Sequence, residues 1–396
     1  MSNFDLTAVI LAGGKGERLS PVSEILPKPL VPINGKPMIA HLIEQLERIG
    51  LRRVIILTGY LSDSVEQFCR TLNSNIEIVC LKGEVELSPA QRLINNESRI
   101  GNDFLLLYCD NYINSDDTIN KILDSGKEIT FLIQERSEGN VRIVRGGEIE
   151  YTNGPRKSDF GFVELGYIKV STPSFFETLK VQLDLNATLS ILSHEFSCGF
   201  EIVKDSYWSL SNLNRYKKLR KHRKTILLDR DGVLLERMPF RKYLNNVQDY
   251  KPMIQNWKVL AELSNLGIDF VVATNQPGLA TSDVSAEFLV SIHQKLAIDM
   301  TIFGINIISI FVCGHHWNVN CECRKPKPGM LLNAIEVFDL KKSETLYIGD
   351  EDKDFDAAIS AGIKPILIGR AHSKNFDYES MESAKTEILN FFPALD

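Results

Sequence analysis

Long apolar runs are missing from this chain: nowhere do about 18 apolar residues follow one another, so neither a helical span nor a membrane partner is expected. Positive charge is not in excess either. Lys and Arg total 45 against 51 Asp and Glu, a formal net charge of -6, which excludes nucleic acid as an expected partner. Cysteine is sparse and odd in number, 7 in 396 residues, which argues against a disulfide framework and for reduced thiols. The first residues, MSNFDLTAVILAGG, have no basic head before their short apolar run, so the expected location is the cytoplasm. What is present is ordinary: 44% hydrophobic and 24% charged residues, proportions that disorder, collagen and coiled coil would each distort. A chain of this length is expected to form two or three domains, each with its own core.

Short β-branched runs alternate with longer segments of helical period, the pattern of mainly parallel sheets flanked by helices, so the expected class is α/β. In the first half, strands are expected over 7–12, 53–58, 76–80 and 103–109, and amphipathic helices over 38–49 and 62–72. Gly146 and Gly147 mark a hairpin inserted in that framework. The basic run YKKLRKHRK, residues 216–224, reads as a solvated linker or helix end, with a phosphate-attracting patch as the minor alternative. A second β/α series is expected after it, with strands over 225–228, 268–273, 307–312, 346–348 and 363–368. The expected domains are therefore 1–220 and 221–396.

The strand AVILA runs into Gly13, Gly14, Lys15, Gly16, Glu17 and Arg18, where glycines let backbone amides approach an anion and Arg18 adds positive charge. By itself this is as readily an ordinary turn, since it lacks the Lys-Ser/Thr ending of a Walker loop. Lys28 follows between Pro27 and Pro29, which fix the backbone around an ammonium aimed at a phosphate. Together AVILAGGKGERL and LPKPLVPINGKPMI resemble the nucleoside-diphosphate-sugar pyrophosphorylases over roughly residues 5–216, and especially the guanylyltransferases that act on heptose 1-phosphate. The resemblance implies a Rossmann-like fold, Mg²⁺, and attack of a sugar 1-phosphate on the α-phosphorus of a nucleoside triphosphate with release of pyrophosphate. By position it implies that Gly13, Gly14 and Gly16 cradle the nucleotide, that Arg18 and Lys28 neutralise pyrophosphate, that Asp110 binds Mg²⁺, and that Lys157, Glu164 and Gly166 hold the sugar phosphate. A carboxylate at the end of strand 104–109 also suits the place where parallel sheets bind ligands.

Two segments depart from that family. Residues 87–91 read LSPAQ where the family has Leu-Gly-Thr-Ala/Gly near the nucleobase, which leaves the choice of nucleotide open. Ser209 stands where the family has a second metal-binding Asp, and Asp205 is nearby but unmatched. Loss of one carboxylate implies weaker metal binding, and either a slow transferase or a module that only binds its ligand.

In the second half a strand is expected to end in Asp229, Arg230, Asp231 and Gly232. Two carboxylates two residues apart share a face if the strand continues, and their repulsion calls for a cation. One can attack phosphorus while the other protonates the leaving oxygen. A polar turn is the alternative for this segment alone, but VVATNQ, RKPKPG and IGDEDKD follow in order. The set resembles the haloacid dehalogenase superfamily, and residues 224–370 resemble its heptose bisphosphate phosphatase and histidinol phosphatase branch. The resemblance implies Asp229 as nucleophile, Asp231 as general acid then base with its carbonyl on Mg²⁺, and Thr274 and Asn275 as groups orienting the phosphoryl. It implies Lys325 as the neutralising cation, Arg324 as a substrate contact, and Asp350 as a metal ligand supported by Asp354, with Lys327 the alternative cation. Where the branch continues TNQSGIARG this chain has TNQPGLATS, so Thr281 cannot supply an Arg for a distal phosphate, and Arg237, Arg241 and Lys242 are the substitutes.

Cys313, His315, Cys321 and Cys323 form CxH followed by CxC, a donor set matching the four-coordinate preference of Zn²⁺, with His316 in reserve and unliganded thiols as the alternative. The same branch carries such a loop, which would pin the adjacent Arg324 and Lys325. Cys69, Cys80, Cys109 and Cys198 read as core thiols, and His41, His194 and His293 as surface or satisfied core residues. The two halves together imply a bifunctional enzyme of nucleotide-activated heptose synthesis, with a sugar phosphate and a nucleoside triphosphate, GTP foremost, as substrates. The alternative is a phosphatase carrying a weakened nucleotide-binding or oligomerisation domain, and a homo-oligomer is left open.

Overall fold

The computed structural model describes residues 6–144, 148–196, 198–204, 207–239, 242–369 and 377–392. Gly146, Gly147, Asp205 and Arg241 lie outside the described residues. The chain divides into two compact units, one of residues 1–18, 27–30 and 38–212, the other of 19–26, 31–37 and 213–396. By this division the chain passes from one unit to the other at 212/213, and the basic run lies at a helix end rather than in a free linker. Its helix, Leu213–Leu219, belongs to the second unit, where Arg220 and Arg223 grip Asp269 at 2.7 and 2.6 Å and Lys217 reaches Asp339 at 2.5 Å. Those cations are consumed structurally.

The first unit is built on a nine-stranded sheet. Its parallel part has β1 (Thr7–Ala12) between β2 (Arg53–Thr58) and β4 (Asp103–Tyr108), with β3 (Glu77–Lys82) outside β2. Strand β1 is buried from Thr7 to Ile10 and matches its neighbours residue for residue, as a run of apolar side chains covered on both faces should. β5 (Ile129–Glu135), β6 (Val141–Ile143), β7 (Ile149–Tyr151), β8 (Phe162–Ser171) and β9 (Gly199–Ile202) extend it; β8 runs antiparallel to β4 and β5, and β9 parallel to β5. The sheet is therefore mixed, with β6 and β7 supplying the antiparallel pair expected around Gly146. Phe104, Phe131, Phe175 and Phe176 fill the core on one face.

The second unit has an all-parallel sheet of five strands in the order β12 (Ile307–Cys313), β11 (Ile268–Asn275), β10 (Lys224–Leu228), β13 (Thr345–Gly349) and β14 (Lys364–Leu367). Helices Ile254–Asn265, Ala286–Ile302, Gly329–Val337 and Asp352–Ala361 connect them. Both units are thus α/β with helix-flanked sheets, and in each the strands deliver polar residues at their carboxyl ends. Among the described residues no helix is long and apolar enough to cross a membrane.

Candidate active sites

In the second unit three adjacent parallel strands deliver the residues of interest at their carboxyl ends: Asp229 directly follows β10, Thr274 and Asn275 end β11, and Asp350 directly follows β13. Asp229 is 4% exposed, and burial pushes its carboxyl above the usual range, opposed by the Lys325 ammonium 3.0 Å away. Lys325 is also buried. Its Nζ lies 2.7 Å from Asp354 Oδ1 and donates to the Tyr347 hydroxyl at 2.6 Å. Burial works against the Lys325 charge, but Asp229 and Asp354 outweigh it and hold the ammonium above its ordinary value. The Lys325 backbone is clamped by Asn275, which accepts its N–H at 3.1 Å and donates to its carbonyl at 3.0 Å. Lys327 instead points to the preceding loop, on Glu322 and the Asn320 carbonyl, so Lys325 is the cation at Asp229.

Asp231 is held by a network the sequence reading did not include. The Arg230 guanidinium donates to both of its oxygens, at 3.0 and 2.9 Å, and Gln276 Nε2 donates to Oδ2 at 3.0 Å. Gln276 also donates to Thr274 Oγ1 at 2.8 Å and accepts from Arg230 at 3.0 Å. Behind Arg230 lies His293 Nε2, 3.0 Å away; burial and the guanidinium hold that imidazole well below its usual pKa, so it accepts as a neutral base. The only sequence signal for Arg230 was its place between two carboxylates.

Asp350 is raised to about 7, by burial first and by Asp229 next, with Arg237 opposing. One of its oxygens takes Arg237 at 2.6 Å; the other, Oδ1, is buried with no hydrogen-bond partner. Gly232, at φ +84, makes room for this carboxylate: a Cβ there would lie 1.8 Å from Asp350 Oδ2. Asp229, Asp350 and Asp354 bring carboxylate oxygens within 4.8 Å of one another. Asp354 spends one oxygen on Lys325 and Tyr347 and the other on the Asp350 and Glu351 amides, so it positions the loop, and the orphaned Asp350 oxygen is the one suited to a hard divalent cation. Arg237 pairs with Asp350 and Glu351 and lines the same cavity as Lys242. Asp229, Asp231, Thr274, Asn275, Arg324 and Lys242 line one cavity of about 780 Å³, and Arg324 Nη1 is buried there without a partner.

Cys313, His315, Cys321 and Cys323 converge as their spacing suggested. Sγ of Cys313 is 3.7 Å from Cys321 Sγ and from His315 Nδ1, Cys323 Sγ is 3.5 Å from Cys321 Sγ, and His315 Nδ1 is 3.2 Å from Cys323 Sγ. A tetrahedron with bonds of about 2.3 Å has edges of about 3.7 Å, so the four donors can share one ion. His316 is not a spare ligand: its Nδ1 accepts from the Asn318 amide at 3.2 Å and caps the turn that follows.

In the first unit a cavity of about 400 Å³ is lined by Gly13, Gly14, Gly16, Lys28, Asp110 and residues 87–90. Lys28 Nζ lies 2.8 Å from Asp110 Oδ2. Ser209 is placed where the second carboxylate was missing: it pairs with Asn111, and the Leu210 N–H donates to the Asp110 carbonyl at 2.8 Å. Two carboxylates, Asp110 and Asp184, line this cavity, and Asp110 is the one paired with Lys28. Burial raises the Glu164 carboxyl to about 7 despite the Gly166 N–H it accepts, and Asp110 adds to the rise. Gly166, at φ +78, lets β8 pass the Tyr108 ring, 2.6 Å from where a Cβ would be. Arg18 and Lys157 are exposed and neither lines this cavity.

The sequence matches the nucleotidyl transferase family over residues 7–164 and the HAD-hydrolase-like family over residues 322–394. It is 32% identical over 145 residues to the D-glycero-β-D-manno-heptose-1,7-bisphosphate 7-phosphatase of Pseudomonas putida, covering 37% of this chain and 82% of that protein. The chain belongs to this phosphatase family. It is also 31% identical over 165 residues to the histidine biosynthesis bifunctional protein HisB of Campylobacter jejuni, where the match covers 41% of this chain and 46% of that protein, about half its length. Among solved structures, the D,D-heptose 1,7-bisphosphate phosphatase from B. bronchiseptica, complexed with magnesium and phosphate, aligns at 26% identity and a TM-score of 0.39, covering 42% of this chain and 98% of that one. This phosphatase-family chain therefore joins a nucleotidyl transferase domain to a HAD-like domain.

Proposed function

We propose that the chain catalyses two consecutive reactions: removal of the 7-phosphate from a heptose 1,7-bisphosphate in the second unit, and transfer of a nucleotidyl group, GMP from GTP, to the resulting heptose 1-phosphate in the first. The observation that carries this is the Asp229–Lys325–Asp354 group of a phosphatase family in the same chain as the Lys28–Asp110 pair of a nucleotidyl transferase domain. A product of the first reaction is the acceptor of the second.

Asp229 attacks the phosphorus, the bond to the sugar oxygen breaks, and an aspartyl phosphate forms. Asp231 gives its proton to the departing oxygen, then takes one from the water that hydrolyses the aspartyl phosphate, which releases inorganic phosphate, frees the Asp229 carboxylate and returns Asp231 to its protonated form. Lys325 neutralises the phosphoryl, Thr274 and Asn275 orient it, and Arg324 and Lys242 are the cations for a second phosphate. Asp229, Asp350 and the Asp231 carbonyl would hold Mg²⁺, which would supply further charge screening. Cys313, His315, Cys321 and Cys323 would hold a structural Zn²⁺, which would fix Arg324 and Lys325 directly after them. In the first unit the sugar phosphate oxygen attacks the α-phosphorus, pyrophosphate leaves, Gly13, Gly14 and Gly16 cradle the phosphates, and Lys28 neutralises the departing charge. Lys157, Glu164 and Gly166 are the candidates for the sugar phosphate.

Ser209 in place of a carboxylate favours a second reading, in which the first unit binds nucleotide without turnover. Incubation with heptose 1,7-bisphosphate, GTP and Mg²⁺ separates the two: phosphate and pyrophosphate both appear in the first case, phosphate alone in the second.

A further inference from the structure

The segment LSPAQR, which departs from the family pattern beside the nucleobase, ends in a residue that no motif explains. Arg92 lies in the short helix Pro89–Ile94, whose start is fixed by a capping box between Ser88 and Gln91. Arg92 is 4% exposed, and its two terminal nitrogens donate to backbone carbonyls: Nη1 to Thr58 at 2.6 Å, and Nη2 to Glu84 at 2.7 Å, Val85 at 3.1 Å and, most loosely, Gly13 at 3.4 Å. These acceptors lie beyond β1, at the end of β2 and beyond β3, three adjacent strands of the parallel sheet. Each of the three loops contributes a glycine against the guanidinium. A Cβ on Gly13 would lie 2.2 Å from Cζ, one on Gly59 2.5 Å from Nη2, and one on Gly83 3.0 Å from Nη1. Among the described residues no carboxylate pairs with Arg92.

We infer that Arg92 is the positioning residue of the nucleotide site: it rivets the glycine loop to the loops after β2 and β3, and it adds an uncompensated positive charge to the wall of the cavity that receives the triphosphate. A planar fork can serve several carbonyls at once, whereas an ammonium is a point donor, so lysine should not substitute fully. The inference rests on the transferase reading of the first unit.

The test is binding of Mg·GTP to the full chain by calorimetry. Arg92→Ala is expected to weaken binding about tenfold or more, Arg92→Lys to recover only part of it, and guanidinium chloride at tens of millimolar to restore the Ala variant but not to affect wild type. Phosphatase turnover in the same samples reports an intact second unit. Unchanged GTP affinity in Arg92→Ala, or a loss that guanidinium does not rescue, overturns the inference. Should Arg92→Ala fail to fold, Gly83→Ala, whose Cβ would meet Arg92 Nη1 first, at 3.0 Å, and no backbone atom nearer than Thr58 O at 3.6 Å, is expected to weaken GTP binding in the same direction, and unchanged binding there refutes the role. No binding of GTP, ATP, CTP or UTP by wild type overturns the transferase reading itself, a result distinct from normal wild-type binding that the variants leave untouched.

Discussion

Replacing Lys325 by Met tests the account of the phosphatase centre where its energetics are steepest. The side chain has no solvent exposure and serves two carboxylates, Asp229 at 3.0 Å and Asp354 at 2.7 Å. Methionine keeps most of the volume but leaves two buried charges facing each other, and removal of one partner from a buried ion pair costs about 3–5 kcal/mol. For a unit of this size each kcal/mol lowers the midpoint by about 2–4 °C, so the second unit's transition should fall by roughly 6–20 °C. The pH dependence has a fixed sign. Asp229 already has a raised carboxyl, and without Lys325 it rises further, so the native state retains a proton that the unfolded chain has lost. Stability of the variant relative to wild type therefore declines as pH climbs above the ordinary carboxylate range: the deficit is smallest near pH 4 and largest near pH 8. Calorimetry in EDTA at both pH values reads this directly, and Lys325→Met/Asp354→Asn should regain part of the loss by removing one orphaned charge. A single variant within 1 kcal/mol of wild type at pH 8 would refute the reasoning.

Arg230→Gln should lower phosphatase kcat by about 10²-fold with little change in KM, because Asp231 loses its bidentate partner while the rest of the cavity is kept; an unaltered kcat contradicts the positioning network. Glu164→Gln should stabilise the first unit at pH 8 by on the order of 1 kcal/mol, allowing for the carboxyl's partial exposure, and leave it unchanged near pH 4, since a carboxyl raised to about 7 penalises the fold only once ionised; equal effects at both pH values in thermal unfolding would count against it. Purified protein should carry about one zinc per chain by elemental analysis, and Cys321→Ser should lose it together with phosphatase activity, whereas full activity without metal would remove the loop's role in holding Lys325.

The strands were legible because their apolar runs are short and sharply bounded: Thr7–Ala12 and Arg53–Thr58 fall where the pattern put them, and others differ by a residue or two at the ends. The phosphatase centre was legible for a related reason, since each of its parts ends a strand or opens a helix and carries its chemistry in consecutive residues. What the sequence concealed depends on approach across the sheet. Gln276 and His293 meet Arg230 from 46 and 63 residues away, and neither has a local pattern that distinguishes it from a satisfied core residue. The glycines at positions 59 and 83 look like ordinary turn residues until Arg92 is placed between them. Arg18 and Lys157, conversely, have the right chemistry in sequence but exposed positions off the cavity wall. The basic run near 220 read as a solvated linker or helix end; it ends the helix Leu213–Leu219, but periodicity does not show that Asp269, on another element, pairs with its Arg220 and Arg223.

The central claim, two activities sharing one intermediate, is tested most directly by following phosphate and pyrophosphate separately from one reaction of the full chain with heptose 1,7-bisphosphate, GTP and Mg²⁺. The account predicts that both appear, that Asp229→Asn abolishes both when only the bisphosphate is supplied but spares pyrophosphate release from heptose 1-phosphate, and that Asp110→Ala abolishes pyrophosphate alone. Phosphate release with no pyrophosphate from any of the four common triphosphates would contradict it.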